Sequence, residues 1–199
     1  MKHHLLPIAT VLVLAIAGCT GITHKINVRY APVEQSPLAT LKPATVLIQV
    51  EDQRPAEERG YVSKWEGGPL DPTHRFVTRE SPVEILRSAL RQEFQRNGHR
   101  VVDMPSAEVE ININIVLQRF IGAVVGADKM AQIQAEVSVR KVRATEAATP
   151  FPVAGTYKTH YVGIALITAD PSNELALAMQ DFVKNLALDS RFLETFEQR

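Results

Sequence analysis

The sequence predicts an α+β fold: a two-layer sandwich of a mainly antiparallel sheet, about four or five strands, covered on one face by two amphipathic helices. Three observations predict it. Residues 108–120 and 130–140 alternate apolar and polar side chains, the period of strands with one covered face. Two helix starts, Ser81-Pro82 and Asp170-Pro171, are each followed by apolar residues at spacings of three and four. A one-faced sheet and singly striped helices satisfy each other's need for cover.

The N-terminus comes first. Lys2 supplies a positive charge, and residues 5–17 are uncharged and mostly apolar. That is a basic n-region and a short h-region, too short for a bilayer core that needs about 20 apolar residues. The run ends Ile16-Ala17-Gly18-Cys19. This resembles the lipobox of bacterial lipoprotein precursors: a branched apolar residue, two small ones that enter a peptidase groove, and a cysteine whose thiol accepts diacylglycerol. Cys19 is the single cysteine, so it has no disulfide partner in the chain. The expectation is a signal peptide over residues 1–18 and lipidation at Cys19. The next residue is Thr20. An aspartate there retains many lipoproteins at the inner membrane, so threonine points to the outer membrane, facing the periplasm.

Residues 19–44, with Pro32, Pro37 and Pro43, read as a tether from lipid to domain. Within it, the alternation of Ile26, Val28 and Tyr30 with Lys25, Asn27 and Arg29 also fits an edge strand over 25–30. A single domain is expected over 45–199. Residues 45–51 (TVLIQVE) form a buried-strand signal that Pro55 ends. Residues 55–80 read as a long charged loop, with room for a short strand around 61–64.

Ser81, Pro82 and Glu84 occupy N-cap, N1 and N3 of a first helix. Its stripe is Val83, Leu86, Leu90 and Phe94, and Asn97-Gly98 ends it. A short strand begins near His99. The two alternating strands follow, with Ile111, Ile113, Ile115 and Leu117 facing in from the first. Ile133, Ala135 and Val137 face in from the second. Residues 151–164 form a third long strand. The last helix carries Leu175, Met179, Phe182, Val183 and Leu186, with Phe192, Leu193 and Phe196 in a final amphipathic turn or two.

Several features together resemble the YajG-type family of bacterial lipoproteins. They are the lipobox, Val50-Glu51-Asp52-Gln53-Arg54-Pro55 after the first core strand, Gly60 in the loop, Arg96-Asn97-Gly98-His99 at the helix end, and the Phe-bearing C-terminal helix. The resemblance implies an envelope lipoprotein of α+β fold and carries no biochemical activity with it.

Composition removes other classes. Beyond the signal, 21 Lys and Arg face 22 Asp and Glu, so no nucleic-acid surface is indicated. The histidines His24, His74, His99 and His160 are isolated in sequence, with no metal-ligand spacing and thus no expected metal or cofactor. No GxSxG, GxGxxG or phosphate-binding glycine loop occurs, and no catalytic residue is assigned.

The expected role is a non-enzymatic, lipid-anchored module that binds a protein of the cell envelope. The alternative is a carrier of a small apolar ligand held between sheet and helices. Candidate contact residues are Asp52 and Arg54, two apart on one strand face, and the loop aromatics Tyr61 and Trp65. Val124 and Val125 join them, in an apolar connection over 121–127 that reads either as a partner- or membrane-touching tip or as continuing strand.

Overall fold

The computed structural model describes residues 21–32, 34–65, 73–125, 128–145, 147–160 and 170–197. Among them is an eight-stranded sheet with three α-helices. The strands are β1 (Ile22–Ile26), β2 (Thr45–Asp52), β3 (Ser63–Trp65), β4 (His74–Thr78), β5 (Arg100–Val102), β6 (Ile111–Val125), β7 (Asp128–Lys141) and β8 (Phe151–His160). The helices are α1 (Pro82–Arg96), α2 (Ser172–Leu188) and α3 (Ser190–Glu197).

The fold is α+β, as the periodicities predict. The sheet, however, has more strands than four or five and is mixed. β6–β7, β7–β8 and β3–β4 pair antiparallel. β1–β4, β2–β5, β2–β6 and β3–β6 pair parallel. The parallel pairs follow from connectivity. For β2–β5, the chain runs through β3, β4 and α1 before β5 lies down beside β2, and a long crossover of that kind produces parallel neighbours. β3 overlaps the short strand expected around 61–64; β1 and β4, of five residues each, are too short for a period-two pattern to stand out from a loop.

β6 is the spine. Val46 to Asp52 of β2 pair with Ile111 to Leu117, and beyond them Ser63 of β3 pairs with Gly122 on the same edge. Between the two pairings the chain leaves β6 at Gln53 and rejoins at Val62, whose carbonyl accepts the Gly122 amide. A bulge between Leu117 and Arg119 breaks the register. The inward phase therefore changes from Ile111, Ile113, Ile115 and Leu117 to Phe120 and Gly122. The strands continue through most of the connection at 121–127, with Val125 paired to Asp128. The third long strand is described to His160; the remainder expected, 161–164, lies outside the described residues.

α1 begins as expected, with the Ser81 hydroxyl accepting the Glu84 amide at 3.2 Å. It ends at Gly98, whose φ is 87°. At α2 the Asp170 carboxylate accepts the Ser172 amide at 2.9 Å. One core joins the helices to the inner sheet face: Leu86, Leu90 and Phe94 from α1, Met179 and Phe182 from α2, Phe192 from α3. Gly155 of β8 permits the closest approach. A Cβ there would lie 2.0 Å from the Ala178 carbonyl oxygen and 2.3 Å from the Phe182 nitrogen.

The tether reading of 19–44 needs correction over its described part. The strand lies at Ile22–Ile26, not 25–30. Ile26, Val28, Leu38 and Leu41 belong to the core, and Ser36 caps a 3₁₀ turn over Pro37–Thr40. Ile26 and Val28 are the inward members of the alternation read there, whereas Leu38 and Leu41, isolated among prolines, carry no period to read.

Candidate functional site

The residues singled out by sequence fall into two places: the excursion between β2 and β3, and the end of the sheet where β1, β3 and β4 meet. Asp52 ends β2. Its Oδ1 accepts from Arg54 Nε at 3.0 Å and its Oδ2 from Nη2 at 2.9 Å, a bidentate pair. Arg54 is 2% exposed and also donates to the Glu58 carbonyl at 3.2 Å. Arg59 returns a bond to the Arg54 carbonyl at 2.8 Å. The hydrogen bond from Arg54 holds the Asp52 carboxyl below its ordinary range, against the opposing effect of burial. Both residues are committed to fastening the excursion. Tyr61, half-buried, lies at its far end.

Trp65 closes β3. Register aligns it with His74, and His74 with Ile22. The Trp65 and His74 rings stand 5.0 Å apart. His74 Nδ1 and His24 Nε2 share a hydrogen bond of 2.8 Å, and the His24 ring stacks on Phe76. Two histidines fifty positions apart in sequence thus meet through the β1–β4 pairing, which no sequence spacing announces. Among the described residues no three of His, Cys, Asp and Glu converge as a metal site would require. At Gly21 a Cβ would lie 2.9 Å from the Thr73 carbonyl oxygen, the same oxygen that accepts the Ile22 amide. Glycine therefore lets the chain enter β1 flush against β4.

The β6–β7 hairpin reaches the same end. Pairing of Ser63 with Gly122 puts Trp65 level with Val124. Val124 and Val125 lie in β6 by backbone; their side chains are outside the description, as is Cys19. Beside the hairpin, Asp128 binds Lys158 at 2.6 Å and His160 at 2.7 Å. The bond from Lys158, with that from His160, holds the Asp128 carboxyl below its ordinary range.

The opposite end carries a feature that sequence reading missed. A cleft of about 830 Å³ opens where β2, β5 and β6 begin and β7 ends, lined by Lys42, Arg100, Val109, Lys141, Arg143 and Phe196 among others. Arg100 is tied to Glu108 at 2.6 Å. The Glu110 carboxylate, also in the lining, accepts the Thr45 amide at 2.8 Å. Under the cleft, His99 is 4% exposed against Phe94 and Phe196. Its Nδ1 accepts the Ala44 amide at 3.3 Å while Nε2 faces the Leu38 carbonyl at 3.4 Å. Burial lowers its pKa, partly offset by the Leu38 bond.

Comparison with other proteins places this architecture. Residues 31–186 match a family model described as an uncharacterized lipoprotein. No curated protein matches the sequence. A solved structure of a protein from Xanthomonas campestris is similar over 88% of this chain and 95% of its own, with 12% identity and a TM-score of 0.51. A second, of an uncharacterized protein, covers 84% of this chain and 97% of its own at 12% identity and the same score, 0.51. These likenesses show a shared fold. A minor lipoprotein from Acinetobacter baumannii is a looser match: 9% identity, TM-score 0.39, 78% of this chain and 92% of its own.

Proposed function

The chain belongs to the uncharacterized lipoprotein family matched over its residues 31–186, and from that premise we propose a non-enzymatic module, anchored by acylated Cys19 to the outer membrane and facing the periplasm, that binds another envelope protein. Ile16-Ala17-Gly18-Cys19 supports the anchor, and Thr20 supports the outer membrane. Dual or triple acylation makes such an anchor stable where a single chain is marginal. The YajG-type assignment rests on the motifs at 50–55 and 96–99.

One observation carries the binding role: among the described residues, side chains fill the space between sheet and helices. Phe94, Phe120, Phe151, Phe182 and Phe192 are fully buried there, and the α2 backbone lies within 2.0–2.3 Å of where a Gly155 Cβ would stand. Recognition therefore falls to the surface. Asp52 and Arg54 are spent on each other, which shifts the contact from that pair to the cleft.

The cleft joins an apolar floor, Val109, Ile111 and Phe196, to exposed cations at Lys42 and Arg143. It fits a protein segment presenting an apolar side chain beside a carboxylate. A photocrosslinking residue at Lys42 should capture an envelope protein in intact cells. Lys141→Glu with Arg143→Glu should weaken that capture several-fold. An unchanged crosslinking pattern in the double variant would contradict the cleft and return attention to Tyr61.

A further inference from the structure

The length of chain between Cys19 and the fold fixes where the membrane must be. Gly21 is already packed on the Thr73 carbonyl oxygen, and the next amide, Ile22, donates to that oxygen at 2.9 Å. Only Thr20 lies between Cys19 and Gly21, a span of two residue steps. Fully extended, two residues reach at most about 7 Å. An acyl anchor at Cys19 thus cannot let the domain float; it pins the β1–β4 end within one headgroup thickness of the bilayer.

The residues at that end suit such a position. Ile22 is 42% exposed, an apolar side chain at the start of the edge strand. Trp65 lies two strands away in the same row, Ile22–His74–Trp65, and strands are spaced about 4.8 Å apart. Tryptophan favours the headgroup layer, where its apolar ring and polar N–H are both satisfied. The next row, Thr23–Arg75–Lys64, points to the opposite face, as does Lys25. Lys25, Lys64 and Arg75 are exposed and cationic, matching the negative surface of anionic lipid. The paired backbone of β6 and β7 at Val124 and Val125 lies at the same level.

We infer that the end of the sheet formed by Ile22 and Trp65, where β1, β4 and β3 lie side by side, is a lipid-docking surface, seated in the headgroup layer of the membrane that holds Cys19. This inference rests on lipid anchoring at Cys19. It also orients the molecule. β6 runs about thirteen residues from the level of Trp65 to the cleft, roughly 40 Å of strand. The cleft therefore opens away from the membrane.

Trp65 is the only tryptophan in the chain, so its emission reports on this edge alone. The test reconstitutes the lipidated mature chain, beginning at Cys19, into vesicles of phosphatidylethanolamine and phosphatidylglycerol, with and without brominated acyl chains, which quench on contact. A headgroup-level Trp65 should lose emission about twofold in the brominated vesicles. A Trp65→Phe, Phe196→Trp chain moves the reporter to the cleft end and should be unaffected. A wild-type chain that co-sediments with vesicles yet is not quenched overturns the docking surface and leaves the anchor standing, with a protein partner then the occupant of this edge. Equal quenching at both positions means that the domain lies flat, and overturns it as well. A chain that fails to co-sediment overturns the anchor, and the docking surface with it.

Discussion

At the scale of single residues, the chemistry that matters is buried rather than displayed. Arg54 is enclosed, and its charge is tolerable because both Asp52 oxygens meet it. Removing one partner of a buried pair strands the other, at a cost of about 3 kcal/mol or more. Asp52→Ala should lower the unfolding free energy by about 3 kcal/mol, the low end because Asp52 keeps some solvent contact; a denaturant titration measures it. Because the Asp52 carboxyl is held below its unfolded value, its stabilisation is present above about pH 4 and is lost as pH falls through the folded value. The penalty of the substitution should shrink accordingly in acid. His99 acts at higher pH. Its folded pKa lies below that of the unfolded chain, so protonation favours unfolding. The stability it preserves is complete above about pH 6.5 and declines as pH falls further. The denaturant midpoint should fall between pH 7 and pH 5, and His99→Asn should flatten that slope; parallel slopes would remove His99 as the cause.

At the scale of elements, the long periods were legible; of the short strands, β5 falls where expected and β3 overlaps the strand expected around 61–64, while β4 left no pattern. Ser81, Pro82 and Gly98 mark α1 at both ends because capping chemistry is local. β6 and β7 announce themselves by alternation, and Ile113 is indeed fully buried. Ile113→Ala should cost about 2–5 kcal/mol. β1, β3 and β4 are held by pairing with one another and with β6, a non-local condition that composition does not encode. The same condition hides the His24–His74 contact. The bulge after Leu117 reverses the inward phase and is likewise invisible in a period count. α2 packs closely on β8 at Gly155. Gly155→Ala would drive a methyl into the α2 backbone, so it should destabilise by about 3 kcal/mol, the upper end for overpacking. Wild-type stability in that variant, read by thermal unfolding, would mean that α2 lies farther from β8.

At the scale of the whole molecule, the sequence's account of location is stronger than its account of the site. The lipobox around Cys19 and the family match agree on a lipoprotein. The partner-binding candidates, chosen as conspicuous side chains in loops, divide once folded: Asp52 and Arg54 lock a loop, while Trp65 sits at the end from which the chain leads to Cys19. The cleft escaped notice because its lining comes from five separate stretches of chain, from Lys42 to Glu197. The proposed picture is a domain seated on the membrane by one end, with its open cleft turned toward the periplasm. Everything in it depends on Cys19 being the first residue of the mature protein and carrying lipid. Mass spectrometry of the N-terminal peptide from membrane-extracted protein tests this directly. The account predicts that residues 1–18 are absent and that Cys19 bears a diacylglyceryl thioether. An unmodified Cys19, or a mature chain beginning elsewhere, would contradict it.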